Sequence, residues 1–291
     1  MELSMSLDYL VRQFEMDDPR AFDKAVALCK NAGFRYVDYS PDYISDDWEA
    51  RAHRDREALD RAGIRVEQTH APFNRYGWYD AAQFPVCYRR LFEGSKILGA
   101  RYVVVHGDEY RTVDHYDRRE IEDFTYDFLA PYVEYAEKAG MVTAIENLFE
   151  DQVARSPQID GKSRFTARID ELQGLIERFN TPSVGCCWDF GHANCAFGRE
   201  KALDAMRQVV RHIRCTHVHD NYYGKDLHLM PFLGEIDWPA HMACLRENGY
   251  QGKLSFEFVY GHFPESLLPV CLTTLRAVGD YLVRCFQGDE K

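Results

Sequence analysis

The sequence predicts an α/β fold, a single (β/α)8 TIM barrel over residues 1–291, and three observations predict it. Short apolar runs rich in Val, Ile, Tyr and Phe alternate with long amphipathic stretches. That alternation implies parallel strands joined by right-handed helical crossovers. Glycine repeatedly closes a helical stretch and leads into the next run, at Gly33-Phe34, Gly63-Ile64, Gly99-Ala100, Gly140-Met141 and Gly249-Tyr250. This is how a helix C-cap feeds a strand. Finally, the 291 residues contain no linker or low-complexity stretch, so the chain reads as one domain.

The elements follow in order. Residues 3–7 supply the first strand. Asp18-Pro19 suits a cap and a first helical turn, so a helix is expected over 19–32, ending at Asn31-Ala32-Gly33. The run FRYVDYS (34–40) is the second strand, and the helix 46–62 starts on Asp46 and Asp47 and stops at Gly63. IRVEQTHAPF (64–73) and RYVVVHG (101–107) are the third and fourth strands, with a helix over 80–98 between them. The helix 117–139 carries Pro131, which is expected to kink or break it. MVTAIEN (141–147), SVGCCWDFGH (183–192), IRCTHVHDN (213–221) and KLSFEF (253–258) complete the strands. The remaining helices fall at 168–179, 199–212, 237–248 and 264–286.

Net charge is −12. A nucleic-acid binder neutralises phosphates with Lys and Arg, so the balance argues against nucleic acid and against an anionic membrane surface. No apolar run approaches the ~20 residues of a membrane-crossing helix. The N-terminus lacks a basic start and an apolar core, and so does not read as a secretory signal. Nine scattered cysteines with no C-x-x-C pair read as reduced core residues, which suggests the cytoplasm.

The polar residues fall at the strand ends. His70 ends the third run, His106 the fourth and Glu146 the fifth. Asp189 ends the sixth, with His192 after it; His217 and His219 lie on the seventh, followed by Asp226 and His228. Glu257 sits inside the eighth. In a barrel these ends converge at one mouth. A carboxylate within a buried strand is costly unless paired or coordinated to a cation, and Glu146 after VTAI and Glu257 within LSFEFV are of that kind. Two Glu, one Asp and one His make an oxygen-rich site, suited to one divalent cation, Mn²⁺ first, with Mg²⁺, Co²⁺ or Zn²⁺ tolerated. His217 and His219 point to the same side of a strand, and by this reading either is a ligand.

The segments THAPF (69–73), VVVHG (103–107), AIEN (144–147), WDFGH (188–192), HVHDN (217–221), DLHLMPFLGEIDW (226–238) and GYQGKLSFEF (249–258) are matched in order and spacing by a known group. Over residues 20–260 the chain resembles the xylose isomerase-like TIM barrel superfamily, which includes sugar isomerases and epimerases, inosose dehydratases and endonuclease IV. The resemblance to the sugar branch implies one metal on Glu146, Asp189, His217 and Glu257. Its His-x-x-Asp pattern selects His217 over His219, with Asp220 as the fourth member. The endonuclease IV pattern implies three zinc ions on His70, His106, Glu146, Asp189, His192, His217, Asp226, His228 and Glu257. The loop DFGHANCAFG carries no basic segment, and SPDYISDDW is acidic, so no groove for a flipped abasic site is read.

The expected function is therefore a metal-dependent isomerase or epimerase of a ketose, sugar phosphate or related polyol. Glu146 and Glu257 act as paired acid and base through an enediolate. His70, His106, His192, His219, Asp226 and His228 are expected to face the substrate, although His192 also suits a role orienting Asp189. Asp38, ending the second strand, and Glu109, after the fourth, are further mouth residues, each equally suited to a solvated loop. Phe73, Tyr76 and Trp78 are placed to close over a sugar face, and Arg155 and Arg164 to bind a phosphate or carboxylate. A cyclitol dehydratase would use the same base and cation, and a non-catalytic sugar-binding relative is disfavoured by the intact glutamates. A sugar or polyol is the expected partner; the sequence leaves a homo-oligomer open.

Overall fold

The computed structural model describes residues 1–14, 18–74, 79–107, 117–150, 164–222 and 224–290. Among them the strands are β1 (Leu3–Met5), β2 (Tyr36–Asp38), β3 (Arg65–His70), β4 (Tyr102–Val105), β5 (Val142–Glu146), β6 (Val184–Asp189), β7 (Ile213–His217), β8 (Asp220–Tyr222), β9 (Lys225–Leu229) and β10 (Leu254–Phe256). The helices are α1 (Leu7–Val11), α2 (Ala21–Asn31), α3 (Trp48–Ala62), α4 (Gln83–Leu98), α5 (Arg118–Ala139), α6 (Ile169–Phe179), α7 (Phe190–Phe197), α8 (Arg199–Val209), α9 (Trp238–Glu247) and α10 (Leu268–Gln287).

Strands β2 to β7 form one parallel sheet in chain order. A separate parallel pair joins β1 to β10. Single bridges link the two sheets, Ser6 to Asp38 on one side and Val218 to Phe256 on the other. The expected eight-stranded ladder therefore thins at both seams. The reason is local: β1 and β10 are three residues each, and the chain turns into α1 directly after Ser6.

Strand period two sorts the side chains into two cores. Val103 and Val105 of β4 join the large outer cluster under the helices. Tyr102 and Val104 turn the other way and form an inner cluster with Ala144, Cys187 and Cys215. Advancing two residues from Val104, Ala144, Cys187 and Cys215 reaches His106, Glu146, Asp189 and His217. The candidate residues are thus the next layer up the same inner face. Between them and the first strands lies a polar layer, in which Asp38 accepts from Ser4 Oγ (2.8 Å), Gln68 Nε2 (2.7 Å) and Ser255 Oγ. Asp38 is therefore not a solvated loop residue. Burial pushes its carboxyl up to about 6, against the nearby His217 charge and these hydrogen bonds.

Several expected elements differ in detail. Asp18 does not cap α2; its Oδ1 accepts from Arg20 N–H (2.9 Å) in a turn, and the helix begins at Ala21. α5 runs through Pro131 as one helix, because buried Leu129, Val133 and Ala136 hold both halves to the strands while only one N–H is forfeited. The sixth strand stops at Asp189, where α7 begins. The residues after β7 form an antiparallel hairpin, β8 with β9. By length and composition the helical stretch Glu265–Gln287 reaches the threshold for crossing a membrane, with a third of it buried. It packs on α9 and α2, and Gly279 lets it lie against Leu3 and Phe256. All nine cysteines are free thiols.

Candidate metal centre

Four side chains from four strand ends meet at the mouth. Glu146, Asp189, His217 and Glu257 each offer one ligand atom, and these atoms lie within 4.8 Å of one another. Glu146 is 1% exposed and Asp189 0%, while Glu257 keeps 16% toward the opening. Three carboxylates this close, two of them out of solvent, are unstable together without positive charge between them. His217 Nδ1 stands in that position, 2.8 Å from Glu146 Oε1, 3.3 Å from Glu257 Oε2 and 3.7 Å from Asp189 Oδ2. The donor set of three carboxylates and one imidazole fits a divalent cation.

Local structure fixes each member. Asp189 is the N-cap of α7, its Oδ1 accepting from His192 N–H at 2.6 Å. Its backbone is clamped by Asn147, whose Oδ1 accepts from Asp189 N–H (2.7 Å) and whose Nδ2 donates to Asp189 O (2.9 Å). Thr166 holds the Glu146 carbonyl through Oγ1 at 2.8 Å, and does so with a left-handed φ of 71°. Tyr9 on α1 donates its hydroxyl to Glu257 Oε1 at 3.3 Å. Asn147, Thr166 and Tyr9 were not singled out by sequence reasoning. Asn147 was visible only as the last letter of AIEN, and the other two lie far along the chain from their partners.

The remaining histidines extend the centre on two sides. His70 Nε2 lies 3.3 Å and His106 Nε2 3.0 Å from Glu146 Oε2, and these three form one metal-capable group. Phe73 stacks on His106 at 4.7 Å. On the other side Asp189, His192 and His219 form a second group, and His219, Asp226 and His228 a third. His228 reaches the centre from β9 with a left-handed φ of 47°, its Nδ1 2.9 Å from Glu257 O and its Nε2 3.2 Å from Asp226 Oδ2.

Without metal, this assembly is a network of imidazoles and carboxylates. Burial opposes ionisation of Glu146, but the His217 charge and hydrogen bonds from His106, His217 and His70 hold its carboxyl well below the usual range. Burial also opposes charging of His192 and His228. Asp189 and Asp226 push His192 up to about 10, and Glu257 and Asp226 push His228 up to about 9. Both histidines titrate near ~6.5 when unfolded. Their contribution to stability is full below that value and is lost as pH rises through 9–10. The expected result for chelated protein is a thermal midpoint that falls from pH 7 to pH 10. Metal affinity should rise over the same interval, because binding needs neutral imidazole and expels protons. Melts in chelator and titrations with Mn²⁺ across that range check both.

Residues 26–269 match the family described as xylose isomerase-like TIM barrel. The chain belongs to that family. Among its relatives, the uncharacterized protein y4fM of Sinorhizobium fredii is 24% identical over 261 residues, covering 79% of this chain and 78% of y4fM. A solved D-tagatose 3-epimerase-like protein superposes with a TM-score of 0.73 at 20% identity, over 99% of each chain. The IOLI protein, solved with a binding zinc atom, superposes with a TM-score of 0.69 at 17% identity, again over 99% of each. These two likenesses establish the fold.

In this xylose isomerase-like chain the other expected residues divide. His70, Phe73, Asp38 and Glu257 line a cavity of about 590 Å³ that opens beside the candidate metal centre. His219 does not face it. Its ring is fully buried over Gly191, where any side chain would collide with it, and its Nε2 stands 3.0 Å from Asp189 Oδ1. Asp220 joins no ligand group; it accepts from Phe232 N–H (2.9 Å), Ile236 N–H (3.2 Å) and Trp238 Nε1 (2.9 Å) and so shapes the segment after β9. Arg164 is buried with its guanidinium 5.7 Å from the Phe149 ring, which in turn lies 5.0 Å from His192. Tyr76, Trp78, Glu109 and Arg155 lie outside the described residues.

Proposed function

We propose that this protein is a divalent-cation-dependent isomerase or epimerase of a ketose, sugar phosphate or related polyol. The observation that carries the proposal is the convergence of Glu146, Asp189, His217 and Glu257 at the edge of a cavity whose wall includes Glu257. The similarity in fold to a D-tagatose 3-epimerase-like protein supports it. One domain spans the chain in this reading, and the bridges at Ser6 and Val218 close the eight strands into a barrel.

When bound, one divalent cation, Mn²⁺ before Mg²⁺, Co²⁺ or Zn²⁺, supplies Lewis acidity toward a substrate carbonyl. Glu257, partly open to the cavity and steadied by Tyr9, removes the proton from the adjacent carbon. Glu146 is the second carboxylate, with His70 and His106 on its Oε2 to pass a proton inward. Return of a proton to the opposite face of the same carbon epimerises, and return at the neighbouring carbon isomerises. His192 and Asp226, 3.6 Å apart, and His228 form the polar side of the mouth and hold substrate hydroxyls. Ketoses and inososes offered with Mn²⁺ test the reading; loss of water rather than epimer formation would move it to a dehydratase.

One observation favours a second reading. The flanking groups His70–His106–Glu146 and His219–Asp226–His228 give the centre donors for more than one ion, as a phosphodiesterase would use. Against it stand the net charge of −12 and the acidic cavity wall. The expected result is no useful cleavage of abasic duplex DNA at modest enzyme concentration. Robust zinc-dependent incision, with three zinc ions counted per chain, would replace the sugar reading.

A further inference from the structure

The cavity beside the candidate metal centre has a second wall from which the proposed chemistry uses only Tyr9. Helix α1 forms it. Asp8 lies on this helix one residue before Tyr9, and both line the cavity together with Asp38, Ser40 and Glu257. Ser40 holds the Asp8 carboxylate, its backbone N–H donating to Oδ2 at 2.9 Å. A carboxylate offers about four lone-pair sites, so acceptor capacity remains on the cavity side. Burial pushes this carboxyl up to about 6, with the Ser40 N–H and Arg12 pulling it down, and the group is still ionised at neutral pH.

Away from the candidate metal centre the wall is mostly acidic. Among the described residues the cavity is lined by four carboxylates, Asp8, Asp38, Asp42 and Glu257, by the Arg12 guanidinium, and, on the metal side, by the imidazoles of His70 and His217. Asp38 and Asp42 are already engaged by protein donors, Asp38 in the polar layer and Asp42 by Ser45 and Ile44. Arg12 is exposed at the rim, its guanidinium 5.5 Å from the Tyr9 ring centre. Arg164 lies elsewhere, against Phe149. Asp8 is therefore the charged group on this wall with acceptor capacity to spend on a ligand.

We propose that Asp8 is a specificity-determining residue that accepts hydrogen bonds from hydroxyls of an uncharged substrate and repels the phosphate of an esterified one. This deepens the proposed function and rests on it: the reacting carbonyl lies at the metal centre and the polyol tail reaches α1. Hydroxyl donors to a carboxylate form strong, charge-assisted bonds, whereas a phosphate monoester brings about −1.5 to −2 charge to the same place. The choice between free sugar and sugar phosphate is made here, on the first helix.

Matched pairs test it: D-fructose with D-fructose 6-phosphate, and D-tagatose with D-tagatose 6-phosphate. Calorimetric binding and deuterium exchange at the carbon next to the carbonyl are measured with Mn²⁺-loaded protein. The parent is expected to bind the free sugars at least about tenfold more tightly than the phosphates. Asp8→Asn should raise KM and Kd for the free sugars by about 10- to 100-fold with kcat within a few-fold, and should narrow the discrimination against the phosphates. Mn²⁺ affinity and circular dichroism of the variant should match the parent; if Asp8→Asn does not fold, Asp8→Ser is measured in its place. Tighter binding of the phosphates by the parent, or an Asp8 variant that binds free sugars as the parent does, overturns the proposal. Exchange on the phosphates alone would sink this inference and leave the proposed function standing. Absence of exchange on every carbonyl compound would sink the function, and the binding of free sugar against phosphate still decides the role of Asp8.

Discussion

Glu146→Gln and Glu257→Gln are each expected to abolish turnover while leaving the fold intact. The amide keeps the size of the side chain and one oxygen for a cation, but cannot take a proton as a carboxylate does. Loss of a general base typically removes about 10²–10⁴ in rate, and weaker metal binding adds to that. The two variants should differ in their side effects. Glu257 is reached by Tyr9 and His217 and opens to the cavity, so Glu257→Gln should chiefly lose proton exchange. Glu146 is 1% exposed and held by His70, His106 and His217, so Glu146→Gln disturbs three imidazoles at once and should also weaken metal binding. In D₂O with a ketose substrate, the parent should place deuterium on the carbon next to the carbonyl. A glutamate variant that kept full exchange and full turnover would remove that residue from the acid–base pair.

Metal removal is expected to have the other large effect. Chelation should stop turnover, and readdition of Mn²⁺ should restore it. The stability change is predictable from linkage: a ligand that binds only the folded state at a thousand times its Kd adds about 4 kcal/mol. In the metal-free protein the burden of separating Glu146, Asp189 and Glu257 falls on the His217 cation. His217→Ala should therefore cost about 3–5 kcal/mol without metal, the usual cost of removing one partner from a buried ionic group. Thermal melts of parent and variant, with chelator and with Mn²⁺, measure both. A parent whose melting is indifferent to divalent cations, combined with none retained after purification, would remove the cation from the reading of this site.

Much of this was legible in the chain. The order of strands and helices follows from period-two and period-3.6 patterning, and the glycine stops at Gly63, Gly99 and Gly140 adopt the left-handed C-cap that the sequence implied. The convergence of His70, His106, Glu146, Asp189, His217 and Glu257 was legible too. Each follows an apolar strand, and parallel strands of a barrel end at one mouth. His106, Glu146, Asp189 and His217 share the inward parity of Val104, Ala144, Cys187 and Cys215.

What the tertiary structure decided is who touches whom across long separations. His217 and His219 have the same parity, and the chain leaves the sheet between them; one ring enters the centre and the other is sealed over Gly191. Asp220, the last residue of the His-x-x-Asp pattern, is a structural acceptor, because the segment after β9 folds back to present three N–H groups to it. Tyr9 meets Glu257 across 248 positions, and Ser4, Asp38, Gln68 and Ser255 come from four different strands into one polar layer. Local patterning determines which side of a strand a residue faces, because φ and ψ fix that within two residues. It carries no information about the residue opposite, since that depends on how the sheet curls and where each helix returns the chain. The barrel strands, their order and the strand-end residues of the candidate metal centre were therefore legible in the sequence alone, whereas α1, α7, the β8–β9 hairpin, the cavity and the partners of each candidate ligand were decided by the fold.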